Sequence, residues 1–377
     1  MKTLKENQTT NSKNKKALIY IITVIIFYFI AKFNYIIFFG ILLGYIMQKS
    51  RFCFTAAFRD LFLIGNTSLF RGLIIILFLK TPLFALIYQY SSSSFNLSPV
   101  GLWTIIGAIL FSMGMVIAGA CVTGSMVRVG EGYIMQQFSL LGILLGSVFG
   151  AFHVSFFERK FMFGPVFIPE YLSFPFVVFV QLVVLAGLFI ISLWLERGKE
   201  ALNINALKNT LIFSFPNNPL KRFWPYNMGA IFIAVIMSLM FLSYGSPWGI
   251  TTSLTHLAGG IIGLGGFDVS HWNFFKYDNL FAHPLILVNL GIILGSFLSS
   301  FSSSEFRIRK PRSYKFIITG LMGGILMGYG ARLAEGCNIG SLISAIPSFS
   351  LHGWVFMFSS FVGAYIGSKI LLSYLIE

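Results

Sequence analysis

The chain has 377 residues, 56% of them hydrophobic and only 10% charged, with a net charge of +15 and a mean hydropathy of +0.82. A soluble domain carries about 25% charged residues, so that class is excluded, and the lack of period-2 alternation excludes a membrane β-barrel. Lys and Arg gather between apolar runs, which is the habit of a polytopic helical membrane protein rather than of a nucleic-acid binder.

In chain order, residues 1–16 (MKTLKENQTTNSKNKK) are polar and basic, and an apolar run follows at 17–31 with no small-residue cleavage site after it. Residues 1–33 are therefore expected to form a basic cytoplasmic N-terminus and a retained extra first transmembrane helix. Nine further spans are predicted at about 34–48, 71–90, 101–118, 132–152, 173–195, 228–243, 282–300, 316–333 and 351–375, giving ten in all. Segments 53–64, 121–129, 246–264 and 337–347 are too short or too rich in Gly and Ser to cross a bilayer alone, and each follows a span directly. Non-helical backbone at membrane depth is tolerated only where protein or a cavity surrounds it, so these four are expected to be re-entrant half-helices. The division is a first half at 34–195, a basic loop at 196–227 and a second half at 228–377. Basic clusters at Lys2 to Lys16, Arg197 to Arg222 and Arg307 to Lys315 fall on one side of this topology. That side is cytoplasmic, which puts both termini inside a multi-pass protein of the cell (inner or plasma) membrane.

The chain repeats itself. At an offset of 216, Gly107, Gly114, Ala118, Cys121, Gly124 and Ser125 match Gly323, Gly330, Ala334, Cys337, Gly340 and Ser341. After a five-residue slip, Ser139, Gly142 and Gly146 match Ser360, Gly363 and Gly367. The predicted topology runs 101–118 and 316–333 in opposite directions, so the halves are inverted. That is a transporter plan with its site where broken helices meet near the midplane.

Only three cysteines occur, Cys53, Cys121 and Cys337, and each lies in a break. A buried cysteine is ordinarily a small hydrophobe. Two at equivalent repeat positions, with none elsewhere, point instead to a path for something that thiols recognise. A neutral thiol is a weak S–H donor and a soft acceptor, whereas a thiolate would repel an anion. Charged residues flank the breaks: Arg51, Arg59, Asp60, Arg128, Glu131, Arg332 and Glu335. They form either local ion pairs, as at the i, i+3 spacing of Arg128 with Glu131 and Arg332 with Glu335, or an electropositive entry for a dianion. Ser125, Asn338 and Ser341 are candidate side-chain donors, and the half-helix N-termini supply free N–H groups. The fourth break, SPWGITT, has no cysteine; Trp248, Thr251 and Thr252 are candidates for the equivalent place, and its alignment with the Cys53 break stays open. His153, His256, His271, His283 and His352 do not cluster and are taken as loop or interface residues. No catalytic triad, phosphate loop, dinucleotide fingerprint or metal motif is present in the sequence, so no cofactor is expected and the chain is not read as an enzyme.

The motifs QKSRFCFTAAFRD, GMVIAGACVTGS with EGY, SPWGITT, and GARLAEGCNIGS with IPSFSLHGW resemble those of the YeeE/YedE family of membrane permeases, whose known members take up thiosulfate. The resemblance implies an all-α, hourglass-like fold of nine spans and four short helices. It also implies that Cys53, Cys121 and Cys337 hand thiosulfate along by S–H···S contacts, with a cytosolic sulfur-accepting protein as a further partner. Some relatives are associated with selenium metabolism, and the RIRKPRSYK loop and GARLAEGCN motif resemble theirs too. The alternatives are therefore a transporter of a selenium or other reduced sulfur species, a membrane sulfurtransferase or thiol oxidoreductase, and a purely structural subunit. An oxidoreductase needs a thiol activated by a basic neighbour, and none adjoins Cys121 or Cys337 in sequence.

Overall fold

The computed structural model describes residues 35–91, 95, 97–157, 162–196, 218–266 and 284–376. The expected extra helix at 17–31 and most of the basic loop at 196–227 lie outside them. Among the described residues nine helices are long and apolar enough to cross a membrane, and the fold is all-α apart from one short antiparallel pair of strands.

The nine are built on α1 (Ile36–Ser50), α3 (Ser68–Tyr90), α4 (Leu102–Ile117), α6 (Ile134–Phe157), α7 (Phe174–Leu195), α8 (Tyr226–Tyr244), α10 (Pro284–Ser302), α11 (Tyr314–Leu333) and α12 (Leu351–Ile376), the first and third reaching spanning length only together with the short helix that follows each, Ile36–Leu63 and Leu102–Gly130. Between them sit four short elements: α2 (Phe54–Leu63), α5 (Val122–Gly130), α9 (Ile250–Leu264) and a π-helical stretch, Asn338–Ser344. Two strands, β1 (Pro99–Gly101) and β2 (Met162–Pro165), pair antiparallel, with Val100 opposite Phe163 and Gly101 opposite Met162. They join the chain entering α4 to the chain leaving α6.

Glycine decides how the helices meet. A Cβ on Gly142 or Gly146 of α6 would strike the carbonyls of Leu321 or Ile325 on α11, and one on Gly40 or Gly44 of α1 would strike Val288 or Ile292 on α10. Small residues that admit a neighbouring backbone are how helices associate where lipid offers no hydrophobic drive. At the centre, α4 and α11 touch reciprocally. Gly107 faces Gly330 and Ala334, while its repeat mate Gly323 faces Gly114 and Ala118. Gly114 faces Gly323 and Met327, while its mate Gly330 faces Gly107 and Phe111. Residue numbers rise along one helix as they fall along the other, so the two run antiparallel. By contrast α7 lies at the rim, with only 22% of its apolar window buried.

Candidate functional site

Three of the four breaks share one backbone pattern. A long helix ends, one residue turns left-handed, and two residues later an extended residue caps a short helix. The left-handed residues are Arg51 (φ 50°), Gly119 (φ 74°) and Glu335 (φ 50°), and the caps are Cys53, Cys121 and Cys337. In the fourth break Gly245 turns left-handed (φ 79°) and Gly249 is the extended cap of α9. Gly249 thus takes the place of Cys53 in the second half, correcting the candidates Trp248, Thr251 and Thr252. Left-handed non-glycine residues cost about a kcal/mol or more each and gather at functional sites. Arg51 and Glu335 are two of the four among the described residues.

Capping also fixes where the Cys121 sulfur lies. The side chain of an N-cap folds back over the first turn, where helix N–H groups lack partners. Cys121 does so, its Sγ accepting the Gly124 N–H at 3.4 Å. Cys121 and Cys337 are buried and Cys53 is half-buried, all three as free thiols. Cys53, Cys337 and Thr55, two residues after Cys53, are all among the neighbours of Cys121. No group of acids, histidines and cysteines suited to hold a metal occurs among the described residues.

The charged and polar candidates separate into two groups. Arg51, Arg128 and Glu131 gather at the ends of α1 and α5. There Arg51 is largely exposed, stacks on Phe223 at 3.8 Å and pairs with Glu305 at 3.4 Å. Arg128 leans toward the Tyr133 ring, 5.8 Å from its centroid. Burial pushes the Glu131 carboxyl up, opposed by the nearby Arg128 and Arg309. Arg332 and Glu335 form the second group beside Cys337. Arg332 is buried, with Cys337 and Glu335 among its neighbours. Its stem fills the space left by Gly150, where a Cβ would stand 2.6 Å from the Arg332 Cβ. Glu335 lies past the end of α11 in its left-handed turn, so the pair at i, i+3 is not set by a helical turn.

Ser125 is already engaged: its hydroxyl donates to Gln136 Oε1 at 2.9 Å, while Gln136 Nε2 donates to the Ala118 carbonyl at 3.1 Å. Asn338 donates to Met115 Sδ at 3.3 Å, but its buried Oδ1 has no hydrogen-bond partner, and nor does the buried Ser341 hydroxyl. His352 belongs to the packing around this break. It is buried, and its Nε2–H donates to the Ala334 carbonyl at 2.6 Å.

Sequence reasoning missed Lys80. This lysine is fully buried in the middle of α3, and its ammonium donates to the Ile343 carbonyl and lies 4.4 Å from the Phe84 ring centroid. Gln181 of α7 donates to the Ile346 carbonyl at 2.9 Å. Together they hold the far end of the segment that Cys337 begins, where carbonyls lack helical partners and attract a cation. The sequence signal was a lysine at the centre of an apolar run, which is a functional pointer by default.

Residues 49–366 match the family described as sulphur transport. The chain is 29% identical over 345 residues to the Escherichia coli protein named thiosulfate transporter TsuA, covering 87% of this chain and 92% of that one. It is 31% identical over 323 residues to the TsuA of Spirochaeta thermophila, covering 84% and 92%. A shorter match, 32% over 157 residues, is to the E. coli probable transporter YedE, covering 41% and 39%. With nine helices among the described residues long and apolar enough to cross a membrane and a family match over most of its length, the chain belongs to the sulphur-transport (YeeE/YedE) family of multi-pass membrane proteins.

Proposed function

We propose that this protein carries thiosulfate across the membrane through the junction of its four short helices, where Cys53, Cys121 and Cys337 hold the terminal sulfur in turn. The observation that carries this reading is that all three cysteines of the chain cap short helices after the same three-residue turn. A capping position offers the substrate two things at once: a thiol and the unpaired N–H groups of a helix N-terminus, which favour an anion. The neutral thiol donates its proton to the soft terminal sulfur without bringing negative charge to a dianion. Cys121, with both other thiols among its neighbours, is the transfer point. Cys53, half-buried and two residues from exposed Arg51, is the thiol nearest a surface.

The two halves, 34–195 and 228–377, are read as an inverted repeat. The reciprocal antiparallel contact of α4 with α11 supports this, since a two-fold axis in the membrane plane produces that pattern. Basic residues such as Arg307, Arg309, Lys310 and Arg312 between α10 and α11, with Lys315 at the start of α11, support reading that face, and with it Arg51 and Glu305, as the cytoplasmic side of the cell membrane. A cytosolic sulfur-accepting protein would meet the ion there. The names of the TsuA relatives support thiosulfate as the cargo.

The test is uptake of labelled thiosulfate by liposomes holding the purified protein, with sulfate and selenite as competitors. Saturable thiosulfate uptake that sulfate does not suppress is expected. Uptake of selenite in its place would overturn the substrate, and a persulfide trapped on a cysteine during turnover would point to sulfur transfer instead.

A further inference from the structure

The four breaks are not chemically equal, and the fourth carries a group that the thiol path does not use. Superposing the caps Cys53 and Gly249 pairs Ser50 with Ser246, Phe52 with Trp248 and Thr55 with Thr251. Where the second half loses a thiol, its buried aromatic residue gains an indole N–H. Phe52 is 3% exposed and Trp248 4%, so both rings are interior.

Trp248 is held against the Cys337 segment. Its carbonyl accepts the Ser344 hydroxyl at 3.1 Å, and Gly249 borders Gly340, three residues after Cys337. Its Nε1 is buried and has no hydrogen-bond partner in the protein. An indole N–H only donates, and a buried donor left unmade costs the full desolvation of the group. The Phe at the matching place in the first half needs no such partner. On the neighbouring π-helical stretch the Ser341 hydroxyl, lodged against Gly336, is also buried without a partner.

We propose that Trp248 Nε1 donates to an oxygen of the transported anion, with the Ser341 hydroxyl as a second donor. The junction then sorts the two ends of the substrate, thiols taking the sulfur and these donors taking the sulfonyl oxygens. The inference rests on the thiosulfate reading above and adds a specificity-determining residue to it.

Trp248→Phe removes the N–H and keeps a buried ring. In liposomes its half-saturation concentration for thiosulfate is expected to rise about tenfold or more, the loss of one hydrogen bond to a charged group, with the maximal rate kept. Competition by hydrosulfide, which offers sulfur and no oxygen, is expected to match the wild type. An unchanged half-saturation for thiosulfate would overturn the proposal. Equal weakening of both ligands would also overturn it, because it marks a packing role. Failure of the wild-type protein to take up thiosulfate would instead defeat the transport reading itself, and this one with it.

Discussion

Adding one methyl group at the α4–α11 seam tests whether the two halves are locked as described. In Gly114→Ala the new Cβ would stand 2.6 Å from the Gly323 carbonyl oxygen, 2.8 Å from the Met327 nitrogen and 2.9 Å from the Leu326 Cβ. Two of those atoms are backbone, so neither can turn aside and the helices must part. Overpacking of this kind costs about 1–3 kcal/mol, offset by the roughly 0.5–1 kcal/mol that Ala gains over Gly inside a helix. The repeat mate, Gly330→Ala, meets the Gly107 oxygen and the Phe111 nitrogen at 2.6 Å each, so a similar net loss is expected. Gly187→Ala on α7 has nothing within 4 Å and keeps the helix gain alone. Unfolding in mixed micelles should therefore rank Gly187→Ala at or above the wild type and both seam variants about 1–2 kcal/mol below it. The double seam variant should lose less than the sum, because helices already parted by one methyl make room for the other. Seam variants as stable as Gly187→Ala would refute the reciprocal contact.

Three further outcomes follow from the same geometry. Lys80→Met keeps most of the buried volume but leaves the Ile343 carbonyl without its donor, so a loss of about 1–3 kcal/mol is expected in the same unfolding assay; no loss would show that the contact is dispensable. A polar maleimide should label half-buried Cys53 before buried Cys121 and Cys337 in the folded protein, as read by mass spectrometry of the peptides; labelling of Cys337 first would contradict the described burial. Burial raises the Glu131 carboxyl, so its contribution to stability is complete below the ordinary carboxylate range and is lost as pH rises through the raised value. Glu131→Gln should flatten that fall, and a pH profile identical to the wild type would count against it.

Much of the architecture was legible because hydropathy and glycine report on the same thing from two sides. The nine spans from residue 34 onward and the four short segments coincide with helices α1 to α12 and the π-helical stretch to within a few residues. The Cys121 and Cys337 breaks could be matched because glycines flank both at one offset. Cys53 and Gly249 could not, since S-x-F-C-x-T and S-x-W-G-x-T share little until both are seen to cap a helix. What stayed hidden depends on distant partners. Ser125 reads in the sequence as a free donor, but its hydroxyl donates to Gln136 Oε1. Lys80 finds its carbonyl 263 residues away, and Lys49 is buried with its side-chain nitrogen on the Leu220 carbonyl and the Ser303 hydroxyl.

The central claim is that Cys121 passes the ion between Cys53 and Cys337. Thiosulfate uptake by liposomes carrying Cys121→Ala, set beside the wild type and Cys121→Ser at equal protein density, tests this most directly. Loss of uptake by at least about tenfold in Cys121→Ala is predicted, the scale of one lost hydrogen bond to a charged ligand, with partial recovery in Cys121→Ser, whose hydroxyl still donates. Uptake by Cys121→Ala at the wild-type rate would contradict the account.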